Sequence, residues 1–145
     1  MEIRKLCPEE WGAAAALAVA GVVQRFEAPE YPPQGVEAFR SFLEDRQGLL
    51  SLGAWAAWEG EGLIGVLASR REGSHICLCF VREDFHRQGI GRSLWERFLA
   101  ETCAKRITVH SSPYAVGFYH RLGFLDTAEE QQQDGIRFTP MEYTR

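Results

Sequence analysis

The sequence predicts one domain of the α/β (α+β) class over residues 1–145, with elements in the order βααβββαβαββ. Three observations carry this. An apolar, strand-like run, Ile76–Val81, is followed by Gln88-Gly89-Ile90-Gly91-Arg92 and then by Leu94, Trp95, Phe98 and Leu99 at helical spacing. The turn-forming segments Glu59-Gly60-Glu61-Gly62 and Asp134-Gly135 lie between strand-like runs, as in hairpins. A length of 145 residues, 46% hydrophobic and 25% charged, suits one core in a soluble protein.

Glu2–Leu6 reads as a short strand. Pro8 suits the first turn of a helix, and Glu9 and Glu10 suit its positive end. That helix runs to about Arg25. Its apolar run, Ala13–Val23, is too short to span a bilayer, follows acidic residues and precedes no cleavage site. It reads as a buried amphipathic helix, and no membrane partner is expected. Phe26–Pro33 is a Pro-containing link. A second helix is expected from about Gln34 to Arg46, with Val36, Phe39, Phe42 and Leu43 as its apolar stripe and Gly48 as its stop. Leu52–Trp58 and Leu63–Arg70 form a hairpin, and His75–Val81 is the next strand. A helix then runs to about Cys103, followed by a short strand at Ile107–His110. Pro113–Leu122 is a helix stopped by Gly123. The final hairpin turns at Asp134-Gly135, and Pro140 in its second strand requires an edge or a bulge. Trp55 and Trp58 are assigned to core and hairpin.

The net charge is −4 with no basic run, so nucleic acid is not an expected partner. Cys7, Cys77, Cys79 and Cys103 match no zinc or redox spacing. No metal is expected, and free buried thiols fit a cytoplasmic setting. Alternation puts Cys77 and Cys79 on one strand face.

The strand, glycine turn and helix start together make an anion site. The first N–H groups of a helix have no internal partner, and the helix dipole adds roughly half a positive charge there. A ligand phosphate can approach closely where Gly89 and Gly91 lack a Cβ. Arg92-Ser93 does not supply the Lys-Ser/Thr pair of a Walker loop, and Leu94 stands where a Rossmann turn has its third glycine.

The turn His86-Arg87-Gln88-Gly89-Ile90-Gly91 resembles the acyl-CoA-binding motif Arg/Gln-x-x-Gly-x-Gly/Ala of the GCN5-related N-acetyltransferase (GNAT) superfamily, with His86 in place of Arg or Gln. Val109–Phe124 resembles the family's later motif, Ser/Ala-x-x-Ala-x-x-Phe-Tyr-x-x-x-Gly-Phe. Ser112, Ala115, Phe118, Tyr119, Gly123 and Phe124 fall on its positions, and His110 stands where Asn is usual. The resemblance implies a mixed, mostly antiparallel sheet flanked by helices. Its fourth and fifth strands, His75–Val81 and Arg106–His110, splay apart around the cofactor. It implies an N-acetyltransferase that moves an acetyl group from acetyl-CoA to a primary amine of a small molecule or peptide, by direct attack in a ternary complex. It implies cofactor contacts at Arg87, Gln88, Gly89, Ile90, Gly91 and Arg92, at Phe80 and Val81 along the pantetheine arm, and at Ser112, Ala115 and Phe118. An oxyanion donor would lie near Val81. Tyr119 matches the family's general acid; packing against Phe118 and Phe124 is the plainer reading of the same residue.

The attacking amine must lose a proton. A pKa near 10.4 makes this cost roughly 4–5 kcal/mol at pH 7. His75 is the first candidate base, since alternation places it on the face of Cys77, Cys79 and Val81 and its ordinary pKa is near 6.5. Glu27 and then Glu30, in the link, come next, and His110 is a further residue able to face the cleft. The alternative function is a non-catalytic acyl-CoA-binding sensor or regulatory module, which His86 and His110 leave open. A homodimer is compatible with the sequence. The acceptor itself is not legible, because specificity lives in loops.

Overall fold

The structure is a computed structural model that describes residues 1–26 and 33–145. The two candidate bases Glu27 and Glu30 lie outside the described residues. β1 (Glu2–Lys5) leads through a 3-10 turn at Pro8–Glu10 into α1 (Trp11–Phe26). Glu10 closes the turn. Its carboxylate accepts the Cys7 N–H at 2.8 Å and binds the Arg4 guanidinium at 3.0 Å. Trp11, Ala14 and Ala18 are the buried stripe of α1.

The helix expected from Gln34 to Arg46 is two helices, α2 (Pro33–Glu44) and α3 (Arg46–Leu50). Gly48 does not end a helix but lies inside α3. The break is at Asp45, whose carboxylate accepts the Gly48 N–H at 3.1 Å and caps α3. The chain continues through β2 (Gly53–Glu59), β3 (Gly62–Arg70), β4 (His75–Val81), α4 (Ile90–Glu101), β5 (Arg106–Ser111) and α5 (Val116–Leu122). The tail has one strand more than expected: β6 (Leu125–Asp126), β7 (Gln131–Gln133) and β8 (Ile136–Thr144).

The strands pair in the order β1-β2-β3-β4-β5-β8-β6, with β7 also on β8. Every pairing is antiparallel except β4 with β5. Pro140 is therefore in an inner strand, not at an edge. The residue is tolerated because the outer partner of β8 changes there. β6 ends opposite Met141 and β7 begins opposite Phe138, while the Pro140 carbonyl accepts the Thr127 N–H at 2.9 Å.

One core lies under α4 and α5, built on Leu94, Trp95, Phe98, Ile107, Phe124 and Met141. The other lies under α1, α2 and α3, built on Trp11, Leu43, Leu49, Val66 and Leu78. Trp55 and Trp58 are buried, with Arg97 and Arg4 over their rings. Free Cys7 and Cys103 are exposed rather than buried. Among the described residues no helix is long and apolar enough to cross a membrane.

Two irregularities position the site. β4 and β5 pair only at His75↔Thr108 and Ile76↔Val109, then part. The register of β4 on β3 also slips. Ala68 faces Leu78 but Ser69 faces Ile76, so Cys77 is an extra residue. The bulge reverses the alternation. Ile76, Cys79 and Val81 join the core under α4 and α5, whereas Cys77, Leu78 and Phe80 join the other. Cys77 and Cys79 thus lie on opposite faces, and His75 does not share a face with Val81.

Candidate active site

The parted strands open a cleft of about 460 Å³ that reaches both faces of the sheet. Ala38 and Phe42 of α2 line one side, and Ala115 and Tyr119 line the other. His75, Cys79 and Phe80 of β4 form one wall and Val109, His110 and Ser111 of β5 the opposite one. Arg70, Gln133, Asp134, Arg137 and Phe138 complete it.

Tyr119 sits on α5 with its ring edge-on to Phe118 and Phe124, at 5.2 and 5.3 Å between centroids. It is 5% exposed. Its hydroxyl meets the thiol of Cys79, which the bulge has turned to this face. Burial raises the Tyr119 pKa well above 10 and pushes the Cys79 thiol up to about 12. Both groups stay protonated at neutral pH, as a proton donor must.

His75 is 4% exposed. Its Nδ1 lies 2.7 Å from the Thr108 hydroxyl, which itself donates to the Ser74 carbonyl at 3.3 Å. Thr108 therefore accepts from Nδ1–H, and Nε2 carries the lone pair. The His110 ring is edge-on at 5.0 Å and stacks on Phe138 at 4.5 Å. Desolvation, then Arg70, His110 and Arg71, lower the His75 pKa from 6.5 to about 4. The ordinary value expected for a base at neutral pH does not hold here. Burial, with Arg70 and Arg71, lowers His110 as well.

The glycine turn lies at the start of α4. Arg87 and Gly89 are both left-handed, at φ +65° and +79°, on either side of Gln88. Such alternation turns successive N–H groups inward as an anion nest. Gly89 is the N-cap, and no side chain caps the helix. The first helical bond within reach is Ser93 N–H to the Gly89 carbonyl, at 3.0 Å. The N–H groups of Ile90, Gly91 and Arg92 precede it and face outward from the helix end. A Cβ on Gly89 would meet nothing within 4 Å. A Cβ on Gly91 would lie 3.0 Å from the Phe118 ring and 3.9 Å from Val81. Gly91 thus joins the turn to the aromatic cluster around Tyr119. Arg92 reaches across to the Arg121 carbonyl at 3.1 Å, at the end of α5.

His86, the departure from the motif, donates from Nε2 to the Val81 carbonyl at 2.7 Å. Ser112 caps the turn ahead of α5 by accepting the Ala115 N–H at 3.3 Å. The cleft lining therefore gathers His75, Phe80, Ser112, Ala115 and Tyr119 from the expected residues, and His110 with them. The 87–92 turn stands apart from that lining, beyond Phe118. Val81 lines a second hollow with Leu17, Gly21 and Asp84. Sequence reasoning missed Cys79 as the neighbour of Tyr119, because only the bulge turns it there. It also missed Arg70, Asp134 and Phe138, which carry no motif.

Residues 27–145 match the family described as Acetyltransferase (GNAT) domain. Several solved structures share the fold. A GCN5-related N-acetyltransferase from Rhodopseudomonas palustris is 21% identical, with a TM-score of 0.81 over 99% of this chain and 95% of that one. The PaiA N-acetyltransferase of Thermoplasma acidophilum, in complex with coenzyme A, is 18% identical, with a TM-score of 0.76 over 99% and 98%. YncA of Salmonella typhimurium, a protein described as a putative acetyltransferase with its cofactor acetyl-CoA, is 19% identical, with a TM-score of 0.68 over 99% and 93%. Comparison with curated proteins finds no match.

Proposed function

The chain belongs to the GNAT acetyltransferase domain family, and from that membership we propose that it moves an acetyl group from acetyl-CoA to a primary amine of a small molecule or peptide, by direct attack in a ternary complex. The observation that carries this reading is the parting of β4 from β5 after two residue pairs, beside a buried tyrosine. The gap leaves the β5-facing edge of β4 without a strand partner from Cys77 onward. A pantetheine arm can add there as a strand would.

The chain's groups fit such a ligand. The 87–92 turn offers uncapped N–H groups and a left-handed glycine to a pyrophosphate. Acetyl-CoA would supply a thioester carbonyl and a thiolate leaving group. Cys79 and Tyr119 border the side of the cleft next to this turn, while His75, Phe42 and Ala38 border the other. Cofactor and acceptor would thus enter from opposite faces. The amine nitrogen bonds to the carbonyl carbon, the C–S bond breaks, and Tyr119 gives its proton to the sulfur. Its hydroxyl, held against Cys79 in the free protein, would turn to that sulfur when the cofactor binds. One proton also leaves the nitrogen. His75 Nε2 is an uncharged acceptor for it, but a pKa of about 4 makes it a weak sink. His75 takes that proton after the C–N bond has formed, when the nitrogen is far more acidic than a free ammonium.

Acetyl-dependent thiol release across amino acids, diamines, aminoglycosides and peptides tests the function, with calorimetry of acetyl-CoA alongside. Release with at least one amine is expected. Binding of acetyl-CoA with no transfer to any class would leave only a binding module.

A further inference from the structure

The charges at the acceptor end of the cleft point to a narrower class of amine. Arg70 ends β3, pairs with His75 across the hairpin, and lines the cleft. Arg71 follows in a left-handed conformation, φ +57°. Both charges are felt inside, since both lower the pKa of His75 and His110 and pull down the Cys77 thiol against the burial that raises it. Among the described residues neither Arg70 nor Arg71 has an acidic partner, as is also true of several arginines away from the cleft, whereas Arg4, Arg82, Arg97, Arg106 and Arg137 do. Arg137, also on the lining, is held by Glu130 at 2.9 Å. The described lining has one acidic residue, Asp134, on the β7–β8 turn. The two cleft histidines are neutral and offset nothing.

We propose that the acceptor is a small amine that also carries a carboxylate, a free amino acid or a close analogue, and that Arg70 holds that carboxylate. The inference rests on the acetyl-transfer reading above. A guanidinium binds a carboxylate through two parallel N–H···O bonds and fixes its orientation. A cleft of about 460 Å³ that also admits a thioester suits a small acceptor. A polyamine would set a second ammonium against Arg70 and Arg71, a like-charge contact that selects against it. Asp134, across the opening, suits the ammonium of a zwitterion on its way in.

The test is thiol release from acetyl-CoA with matched acceptors: amino acids, their carboxamides, and the amines lacking the carboxyl group. For the wild type, kcat/KM should favour the acid over its amide by roughly tenfold or more, chiefly through KM. Arg70→Gln should erase that preference while acetyl-CoA affinity holds, and Arg70→Lys should keep part of it. Arg70→Glu should turn the preference toward diamines. Equal rates on acid and amide, or a preference that survives Arg70→Gln, would overturn the assignment. Failure of every acceptor, with acetyl-CoA bound, would instead overturn the acetyl-transfer reading on which it rests.

Discussion

Replacing Tyr119 by Phe removes one hydroxyl and leaves the ring between Phe118 and Phe124. The folded protein loses a weak contact with the Cys79 thiol, so stability should change by no more than about 1 kcal/mol. The kinetic effect is bounded from two sides. A thiolate with an ordinary pKa near 8.5 lies about 1.5 units above pH 7, so protonating it at that pH is worth about 2 kcal/mol, or roughly 30-fold. General acids reach about 10²–10⁴-fold. Burial raises the Tyr119 pKa well above 10, which makes it a reluctant donor, and the loss should fall near 10²-fold. Loss of thioester absorbance gives kcat, calorimetry gives acetyl-CoA affinity, and thermal melting gives stability. The expected pattern is a fall in kcat with affinity and Tm nearly unchanged. Because Tyr119 stays protonated through pH 9, it should add no alkaline limb in that range. A Phe variant as fast as the wild type would reduce Tyr119 to packing.

Acetyl-CoA should raise the Tm of the wild type; Gly89→Ala, strained at φ +79° but free of contacts, should weaken that rise with only about 1–2 kcal/mol lost from the free protein. Gly91→Val should cost more stability, since its Cβ meets the Phe118 ring, and undiminished cofactor binding in both variants would refute the turn as a phosphate site. His75 has a folded pKa near 4, below its unfolded 6.5, so the unfolded chain binds the extra proton between these values. Stability should fall as pH drops from about 6.5 through about 4, by up to about 3 kcal/mol, and His75→Gln should flatten that limb in pH-dependent melts; an unchanged limb would assign it elsewhere. For acetyl transfer, kcat/KM should keep rising toward the pKa of the free amine, while kcat levels off at a lower pH; a limb near pH 6.5 in kcat/KM would mean that His75 titrates normally.

The elements were legible where the chain spells its own local rules. Leu94, Trp95 and Phe98 at helical spacing fix α4, and Asp134-Gly135 turns the last hairpin. The α2–α3 break was not legible, because Gly48 looks like a stop until Asp45 is seen to cap it. The short strands β6 and β7 escaped for another reason: Gln131–Gln133 are exposed and have no apolar alternation. In the site, Tyr119, Ser112 and Ala115 could be read from a motif, and they do line the cleft. The face of His75 could not be read, because a single extra residue at Cys77 inverts the alternation, and nothing in Ile76-Cys77-Leu78-Cys79 announces it. Arg70 escaped because one arginine at a strand end is ordinary; it matters only through the residues that the β3–β4 hairpin sets beside it.

The same environment that weakens His75 as a base helps the reaction in another way. Desolvation and the guanidinium charges lower a cationic imidazole from 6.5 to about 4. An ammonium in the same surroundings would also be lowered from its ordinary value near 10.4. At pH 7 the bound amine would then be neutral more often than the roughly one in 2,500 expected in water. The cost of deprotonation does not vanish. On the acetyl-transfer reading it would move into KM, because the cleft would hold the neutral amine in preference to the ammonium. A carboxylate on Arg70 would offset part of the cationic field, but desolvation is the larger cause and would persist. On the acetyl-transfer reading the site would need no strong base: it would favour the neutral form of the amine once bound, and His75 would only have to accept a proton that the new C–N bond has already made acidic.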